Sequence, residues 1–483
     1  MEKDIRNLEP TRLWNYFADL NAVPRASKKE QRVIQFIIDF GNSLHLQVHQ
    51  DETGNVIIRK PASAGMEHKK AVVLQSHLDM VHQKNNDTDF NFDTQGIRML
   101  IDGDWVKADG TTLGADNGIG VAAIMSLLAA DDIPHPSIEA LFTVDEETGM
   151  TGALGLQGGL LHAGILLNLD TEDDRELTIG CAGGIDITAT GKYLAEPSLQ
   201  GVDTFTVSVK GLTGGHSGMD IHKGRGNSNK LMNRLLVKLH ETTGARIHSI
   251  DGGGLRNAIP RESVSIVSVE TAKSGLLVKT IREMEAVLRD EYRVTDPSLS
   301  LMAEPAATPE TVLPVSFQQK LLKAVYACPN GIYRMSPDIV GLVQTSNNIA
   351  RIQVQQGEFS ILCLTRSAVD TEKMDLASSI RSSFELIDAT VTYGGTYPGW
   401  TPKPDAAIVK LMRGIYKELY QEEPLVNACH AGLECGIIGR NYPGMEMISF
   451  GPNIHGAHSP DEKVQISSVQ KFWSFLLETL NRI

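Results

Sequence analysis

The sequence predicts an α/β protein whose main domain is interrupted by an inserted α+β domain. The apolar run 71–75 is typical of a buried strand, and it leads into Ser76-His77-Leu78-Asp79. Helical and strand-like segments alternate around this strand, as in open α/β sheets, which carry their chemistry at the carboxyl ends of the strands. A change to strand-rich, glycine-punctuated sequence near Gly180 and three prolines between residues 398 and 404 mark where the insert begins and ends.

The domain boundaries follow from these changes. We assign residues 1–185 and 396–483 to the interrupted domain and residues 186–395 to the insert. A chain of 483 residues is too long for one ordinary core, and an insert is tolerated because its two ends can lie close together. Within the insert a similar order of strands and helices recurs after about ninety residues, with Asn-x-Ile at both Asn257 and Asn347. This recurrence indicates an internal duplication.

Periodicity predicts the individual elements. Residues 8–45 have helical spacing, residues 46–60 form a turn into a strand, and residues 83–104 form a polar loop with a short hairpin. The segment 118–130 is apolar almost all round, which suits a buried helix. The further expected elements are strands at 205–209, 263–269 and 389–393, and helices at 229–241, 278–292, from 372, at 406–419 and at the carboxyl terminus.

Composition and charge exclude several classes of protein. Lys and Arg number 45 against 59 Asp and Glu, and the resulting net charge of −14 argues against a nucleic-acid or anionic-membrane partner, because both require a basic surface. The first residues lack an apolar signal core, and the longest apolar run, 119–130, is too short to span a bilayer. Five scattered cysteines are typical of reduced thiols in a cytosolic protein. We therefore expect a cytoplasmic location.

Metal-type ligands follow several predicted strands or the turns beside them. His77 ends the first buried strand, and Glu147 and Asp170 each follow another apolar strand. Asp116 precedes the buried helix, and His458 lies in the turn His455-Gly456-Ala457-His458. Two simpler interpretations compete with metal binding: a strand-end His/Asp pair can be a structural hydrogen bond, and Asp116 can be a helix cap.

These residue types suit a pair of divalent cations. Two such ions carry a charge of four, which three carboxylates and a bridging hydroxide cancel. We assign His77, Asp116 and Asp170 to one ion. We assign Asp116, Glu147 and His458 to the other, so that Asp116 is shared. Mixed imidazole and carboxylate ligands suit zinc, with cobalt or manganese as alternatives.

Glu146 is next to the predicted ligand Glu147 but is not itself assigned to either ion, because neighbouring residues at the end of a strand cannot both face one ion. We predict that it is the general base, which takes a proton from the metal-bridging water and passes it to a leaving amine. An exposed charge at a strand end is the alternative interpretation. Asp79 is predicted to accept the second ring N–H of His77, as carboxylates often do behind a metal-binding histidine.

The motifs His77-x-Asp79, Gly114-Ala115-Asp116-Asn117, Asp145-Glu146-Glu147, Asp170 and His458 resemble the co-catalytic zinc exopeptidases and deacylases. This family includes aminoacylase, carnosinase and glutamate carboxypeptidase. The resemblance implies a catalytic domain with a central mixed sheet flanked by helices, interrupted by an inserted lid domain. It also implies the same five ligands, the base Glu146, the supporting Asp79 and a cis peptide bond after Asp116.

The resemblance assigns further roles in the lid. His216 matches a histidine that stabilises the oxyanion, and Arg366 matches an arginine that binds the carboxylate of the substrate. Asn257 or Asn347 supplies another polar contact. Gly432 lies where relatives hold the carboxyl end of the substrate, although the commoner Gly-Gly-Thr-Asp sequence is absent here. The resemblance also implies a homodimer, in which His216 acts within its own chain or from the partner subunit.

The predicted function is metal-dependent hydrolysis of unblocked L-dipeptides, including Xaa-His and β-alanyl-histidine. An N-acyl-amino-acid deacylase or an aminopeptidase acting on longer peptides is the competing enzyme, because the same metal centre serves all three reactions. A protein that closes on a ligand without catalysis is a third hypothesis. Glu146 argues against it, because ligand binding would need the metal ligands and no spare base.

Overall fold

The protein is described here by a computed structural model over residues 4–483, which consists of two compact units. The first unit runs to Gly180 and resumes over Trp400–Ala428 and Leu433–Ile483; the second comprises Cys181–Gly399 and Cys429–Gly432. These divisions lie close to the boundaries predicted at 185 and 396, except that residues 429–432 group with the second unit. The assignment of the units as catalytic domain and lid stays a prediction.

The helices and strands are named in chain order. Up to residue 181 they are α1 (Thr11–Asn21), α2 (Gln31–Ser43), β1 (Gln47–Gln50), β2 (Val56–Lys60), β3 (Val72–His77), β4 (Met99–Asp102), β5 (Trp105–Ala108), α3 (Ala115–Leu128), β6 (Ile138–Thr143), α4 (Glu146–Gly149), α5 (Thr151–Gly155), β7 (Ile165–Asn168) and β8 (Glu176–Cys181). The next group is β9 (Gly183–Lys192), β10 (Glu196–Pro197), β11 (Val202–Lys210), β12 (Gly215–His216), α6 (Ser228–Thr243), β13 (Arg246–Gly253), β14 (Ala258–Ile259), β15 (Ser263–Glu270), α7 (Ser274–Glu291), β16 (Ser300–Ala306), β17 (Thr311–Val312), α8 (Val315–Ala327), β18 (Gly331–Met335), β19 (Val343–Gln355), β20 (Glu358–Ser367), α9 (Asp370–Glu385) and β21 (Thr390–Tyr397). The last group is α10 (Ala407–Tyr420), β22 (Leu425–Cys429), α11 (Glu434–Asn441), β23 (Glu446–Ser449), β24 (Ile454–His455), β25 (Lys463–Gln465) and α12 (Ile466–Arg482).

An eight-stranded mixed sheet organises the first unit, in the order β1-β2-β6-β3-β7-β23-β8-β22. Its central strands β6, β3, β7 and β23 run parallel, and β1 and β2 add an antiparallel hairpin at one edge. Every residue of β3, β6 and β7 is buried, as expected of parallel strands covered on both faces. The predicted α/β class with a central mixed sheet flanked by helices is confirmed.

The buried helix α3 packs closely on β3 because glycine lies at the contact. A Cβ atom at Gly120 would lie 2.4 Å from Oγ of Ser76, so any larger residue would push the helix away from the strand. The helix is almost wholly buried, as its apolar sequence predicts. Close packing holds the start of α3 beside the end of β3, where the candidate site lies.

The second unit contains an antiparallel sheet in the order β16-β11-β15-β13-β19-β20-β9-β21, with β18 paired to β19. One half has the element order β11-α6-β13-β15-α7-β16 and the other β9-α8-β19-β20-α9-β21, so a β-α-β-β-α-β arrangement occurs twice. The strand order of the second half mirrors that of the first across β13 and β19. The Asn-x-Ile correspondence is nevertheless wrong, because Asn257 lies in the turn before β14 whereas Asn347 lies inside β19.

Two further features concern the cysteines and the helices. Among the residues that the structure describes, none of the five cysteines forms a disulfide, and only Cys429 is partly exposed. Within residues 4–483, none of the helices has the length and apolar character needed to cross a membrane.

Candidate metal centre

Five metal-type side chains meet at the carboxyl edge of the parallel strands. β3 ends at His77, β6 is followed by Glu147, and β7 is followed by Asp170. Asp116 lies at the start of α3, and His458 lies in the turn between β24 and β25. Ligand atoms of His77, Asp116 and Asp170 lie within 4.8 Å of one another, as do those of Asp116, Glu147 and His458. The structure thus brings together both predicted sets of side chains.

Asp116 joins the two sets because its two carboxylate oxygens face different imidazoles. Oδ1 lies 3.1 Å from Nε2 of His77, and Oδ2 lies 3.2 Å from Nε2 of His458. The same nitrogen of His458 lies 2.9 Å from Oε2 of Glu147, and that of His77 lies 3.5 Å from Oδ1 of Asp170. A carboxylate with one oxygen toward each imidazole has the geometry of a bridging ligand.

The hydrogen bonds of His77 show why a cation fits this cluster. Its Nδ1 lies 3.1 Å from the carbonyl oxygen of Asp79, so the ring proton is assigned to Nδ1, which donates. Nε2 then directs a lone pair at carboxylate oxygens, an arrangement that is repulsive unless a second proton or a metal ion lies between them. Oε1 of Glu147 is also buried and has no hydrogen-bond partner among the described residues. Both observations fit a divalent ion held by these side chains.

The charges of the cluster shift the pKa values of its members. Hydrogen bonds to Asp116 and Glu147 raise the pKa of His458 to about 11. Burial acts to lower the pKa of His77, but the surrounding carboxylates, Asp170 first, outweigh burial and raise it well above its usual value. Burial acts to raise the pKa of Asp116, and hydrogen bonds from both histidines overcome burial and lower it. The raised pKa values of both imidazoles show that the carboxylates of this cluster favour positive charge beside them.

Glu146 lies beside the cluster and belongs to neither predicted ligand set. It is the first residue of α4, whereas the sequence suggested a strand end. A carboxylate oxygen of Glu146 lies within 4.8 Å of ligand atoms of His77 and Glu147. Burial raises its pKa well above the usual value, which the charge of His77 opposes and the charge of Asp170 reinforces. A carboxylate with a raised pKa accepts a proton more readily, as a general base must.

Asp79 connects the end of β3 to Glu146. Its wholly buried carboxylate accepts the backbone N–H groups of Glu146, at 3.0 Å, and Glu147, at 3.2 Å, and the hydroxyl of Ser27, at 2.8 Å. The carboxylate lies 3.5 Å from Nδ1 of His77, so the main-chain carbonyl of Asp79, at 3.1 Å, is the nearer acceptor of the ring proton. The predicted carboxylate contact is thus secondary, and the carboxylate mainly orients the turn that carries Glu146.

The interpretation of Asp116 as a helix cap is wrong. The residue that precedes α3 is Gly114, with φ 70°, and no side chain of the cap residue bonds to the helix. Asp116 itself has non-helical dihedrals, φ −81° and ψ 112°, and its carboxylate faces the two imidazoles. The peptide bond after Asp116 is cis, as the resemblance implied.

Sequence reasoning missed two buried glutamates near this site. The carboxylate of Glu462 accepts the backbone N–H groups from Leu113 to Asp116. Glu434 accepts from Gln75 and from Thr143, both at 2.7 Å, and burial raises its pKa to about 7. The sequence offered one indication of these residues, their closeness to predicted site residues: Glu462 lies four residues after His458, and Glu434 lies two residues after Gly432. Position alone could not show that these carboxylates are buried.

In the second unit the structure brings His216 and Arg366 together. Nδ1 of His216 accepts backbone N–H groups from Gly218, at 3.2 Å, and Met219, at 3.0 Å, so the ring proton is assigned to Nε2. Nη2 of Arg366 lies 3.5 Å from that Nε2. Burial, and then the charge of Arg366, lower the pKa of His216. Two N–H donors that converge in this way suit an anionic oxygen placed between them.

The hydroxyl of Tyr397 orients Arg366. Nη1 of Arg366 donates to this hydroxyl at 2.8 Å, and the arginine is only 5% exposed. Its Nε is buried and unpaired among residues 4–483. Nε2 of the neighbouring His430 forms a hydrogen bond of 2.8 Å with the hydroxyl of Ser346. Burial lowers the pKa of His430 to about 3, so this imidazole is neutral.

The remaining residues predicted to contact a substrate differ in whether their side chains are exposed or already hydrogen-bonded. The side chain of Asn347 is buried, donates to the carbonyl of Pro329 at 2.7 Å and accepts from Thr365 at 3.0 Å, so its amide is already engaged. Asn257 is exposed, which favours it over Asn347 as a residue that contacts a ligand. Gly432 ends the short segment that groups with the second unit.

Comparisons with known proteins extend over nearly the whole chain. Residues 73–482 match the sequence profile described as peptidase family M20/M25/M40. The cytosol non-specific dipeptidase of Escherichia coli (strain K12) is 41% identical over 480 residues, which cover 99% of each chain. The crystal structure of an aminoacylhistidine dipeptidase from Vibrio alginolyticus is 43% identical, with a TM-score of 0.94 over 100% of this chain and 98% of that one. The aminopeptidase PepT of Bacillus cereus, with 16% identity, a TM-score of 0.57 and 98% of each chain covered, shares the fold alone.

Proposed function

This chain belongs to peptidase family M20/M25/M40, and from that premise we propose that it is a metal-dependent dipeptidase that hydrolyses unblocked dipeptides. The carrying observation is the carboxylate of Asp116, whose two oxygens face His77 and His458 at the edge of the sheet. The full-length similarity to two dipeptidases favours this activity over an N-acyl-amino-acid deacylase or an aminopeptidase for longer peptides.

The proposed centre holds two divalent ions, most simply zinc, with cobalt or manganese as alternatives. His77, Asp116 and Asp170 would hold one ion, and Asp116, Glu147 and His458 the other. When bound, such ions activate water and polarise a carbonyl oxygen. The three carboxylates provide three of the four negative charges that two dications require, and a bridging hydroxide would provide the fourth.

Glu146 moves the proton in this proposal. Its carboxylate takes a proton from the attacking water and delivers it to the nitrogen of the leaving amino acid, so that one C–N bond is exchanged for a C–O bond. Asp79 keeps Glu146 in place through the backbone N–H bond of 3.0 Å. The raised pKa of Glu146 favours the first half of the transfer, in which the carboxylate takes up the proton.

We assign the substrate contacts to side chains of the second unit. Nε2–H of His216 would donate to the oxygen of the scissile carbonyl as negative charge develops there. Arg366 would bind the terminal carboxylate through two N–H groups of its planar fork, supported by the hydroxyl of Tyr397. Asn257 and Gly432 complete the proposed contacts. Nε2 of His216 and Nη2 of Arg366 lie 3.5 Å apart, which supports contacts of both side chains with one small substrate.

The biological setting is also proposed from the relatives. The name of the Escherichia coli protein supports a cytosolic location and a broad choice of dipeptides, and that of the Vibrio alginolyticus protein supports Xaa-His substrates. We further propose that the protein is a homodimer with no nucleic-acid or membrane partner, in keeping with its net charge of −14.

A substrate panel together with metal analysis tests the proposal. The purified protein, loaded with zinc, manganese or cobalt in turn, is given β-alanyl-histidine, other free dipeptides, their N-acetyl derivatives and tripeptides of related sequence. We expect two ions per chain, and rates for free dipeptides at least tenfold above those for blocked dipeptides or tripeptides. Equal rates for the blocked substrates would instead favour a deacylase, and equal rates for tripeptides an aminopeptidase. Absence of metal binding would refute the proposed centre.

A further inference from the structure

The carboxylate of Glu462 holds four consecutive backbone N–H groups at the turn that carries Asp116. Oε2 accepts from Leu113 at 2.7 Å and Gly114 at 2.9 Å, and Oε1 accepts from Ala115 at 2.8 Å and Asp116 at 3.2 Å. Glu462 is only 2% exposed. Four donors use the four lone-pair sites of a carboxylate, so this side chain is fully engaged by one turn of backbone.

This contact replaces an ordinary helix cap. The first N–H groups of a helix have no partner within the helix, and the residue before α3, Gly114, has no side chain to supply one. A residue 346 positions away from Asp116 in sequence provides the acceptor instead. Negative charge at a helix amino terminus is favourable, which adds to the hydrogen bonds.

Arg25 also holds the same turn, through a carbonyl oxygen. This buried guanidinium donates to the carbonyl oxygen of Gly114 at 2.6 Å, and to those of Leu78 and Asp79 at 3.1 and 3.2 Å. A Cβ at position 114 would lie 2.4 Å from its Nη2, so glycine is required there. Arg25 thereby ties the turn before Asp116 to the chain that follows His77.

The position of Glu462 in sequence gives it a second connection. It lies four residues after His458, in the turn that ends at β25, so one short segment carries a predicted metal ligand and the acceptor for the Asp116 turn. This segment is therefore connected to the backbone of Asp116 through the hydrogen bonds of Glu462. Asp116 and His458 belong to the same predicted ligand set and lie 3.2 Å apart through Oδ2 and Nε2.

We propose that Glu462 is a positioning residue that fixes the bridging carboxylate of Asp116 and couples it to the His458 turn, so that the chain is preorganised to bind its two ions as a pair. Glu462 contacts neither ion nor substrate in this proposal. The inference rests on the two-ion centre proposed above. Side chains that orient metal ligands typically change metal affinity by about 10- to 100-fold when they are removed.

The test compares metal affinity in Glu462→Gln and in a matched control, Glu139→Gln. The glutamine keeps the size of the side chain, but its NH2 group must face two of the four backbone donors. Glu139 is also a buried glutamate that accepts two backbone N–H groups, from His162 at 2.7 Å and Ala163 at 2.9 Å, but it lies near the amino end of β6, away from the site. Affinity for zinc is measured by competition with a chelator, and unfolding temperature with and without zinc.

We expect Glu462→Gln to bind zinc at least tenfold more weakly than the unchanged protein, and Glu139→Gln to bind it equally well despite a lower unfolding temperature. With excess zinc, Glu462→Gln should regain part of its kcat, and KM for a free dipeptide should stay unchanged. Equal zinc affinity in Glu462→Gln and the unchanged protein would overturn the positioning role while leaving the proposed function intact.

A second variant keeps the test decisive if Glu462→Gln does not fold. Glu462→Asp retains the charge but is one methylene shorter, so it cannot reach all four N–H groups. We expect a loss of zinc affinity smaller than that of Glu462→Gln but above threefold. Unchanged affinity in Glu462→Asp would count against the proposal. An unchanged protein that binds no zinc at all would overturn the two-ion centre and this inference with it.

Discussion

The two units gather opposite kinds of side chain, and their sheets explain the difference. In the first unit, the parallel strands β6, β3 and β7 end side by side, and the cluster there is rich in carboxylates. In the second unit all the strands of the large sheet are antiparallel, and the cluster described there contains Arg366, His216, His430 and the hydroxyl of Tyr397. The first cluster can hold cations, and the second can hold anions.

Strand direction decides how each cluster is assembled. Parallel strands deliver the residues after each strand to one edge, so side chains far apart in sequence converge there. Antiparallel neighbours end at opposite edges, so the second cluster depends on turns and on side chains within strands, such as Arg366 near the end of β20. This comparison makes separable predictions: changes in the first cluster should alter metal binding, and changes in the second should alter substrate handling alone.

The largest expected effect is that of Glu146→Ala. Loss of the proposed base should lower kcat by about a thousandfold, because general-base catalysis contributes about 10²- to 10⁴-fold. Two ions should still bind, because Glu146 belongs to neither ligand set. Steady-state kinetics and elemental analysis measure both quantities. The neighbouring variant Glu147→Ala is the contrast, since it should lose metal as well as activity. Normal turnover in Glu146→Ala would show that the assigned mechanism is wrong.

His216→Ala should have the next largest effect. Removal of a donor to a developing oxyanion costs about 10²- to 10³-fold in kcat, and we expect a loss of about a hundredfold with unchanged metal content. His222 provides the control, because it is an exposed histidine of the same segment with no proposed contact to the substrate. His222→Ala should therefore keep full activity. A loss of metal in His216→Ala would break the distinction drawn between the two clusters.

Arg366→Lys should raise KM with little change in kcat. Lysine keeps the positive charge but lacks the planar fork, so we expect a tenfold higher KM for free dipeptides, about 1.4 kcal/mol in binding. Arg351→Lys, on the neighbouring strand β19, is the control. Arg351 donates to the carbonyl of Gly253 and forms an ion pair with Asp251, so its substitution should leave KM unchanged. Equal KM values for the unchanged protein and Arg366→Lys would remove the carboxylate-binding role.

Glu434→Gln should change the pH dependence of stability in the protein freed of metal by a chelator. Burial raises the pKa of Glu434 to about 7, so its contribution is fully present below the ordinary carboxyl pKa of 4.5 and is lost as pH rises through 7. Glutamine cannot ionise, so the variant should avoid this loss, which is on the order of 3 kcal/mol for a shift of this size. Denaturant unfolding at several pH values measures the difference. Parallel curves for both proteins would contradict the pKa shift.

Much of the fold and most of the first cluster were predictable from local sequence. Continuous apolar runs predicted β3 and α3, and helical spacing predicted α6 and α7, to within a few residues, because burial of an element dictates where its apolar residues lie. The five metal-type residues stood out because each follows an apolar strand or a glycine-rich turn. The resemblance to a known family added His216, Arg366 and the cis peptide, none of which a local pattern predicts.

Local sequence could not predict contacts between distant segments. Asn257 and Asn347 share a short motif, yet one lies in a turn and the other inside β19, because strand register is set by the whole sheet. The carbonyl of Asp79, rather than its carboxylate, is the nearer partner of His77, a choice that depends on backbone direction after β3.

The sequence by itself determined which residues are able to bind cations and which segments bury an apolar face, because both follow from side-chain chemistry and short-range periodicity. Only the tertiary structure decided that Asp116 directs one oxygen to each histidine, and that Glu462 and Arg25 both hold its turn. Those contacts join segments up to 349 residues apart, and their geometry exists only once the sheet and α3 have packed.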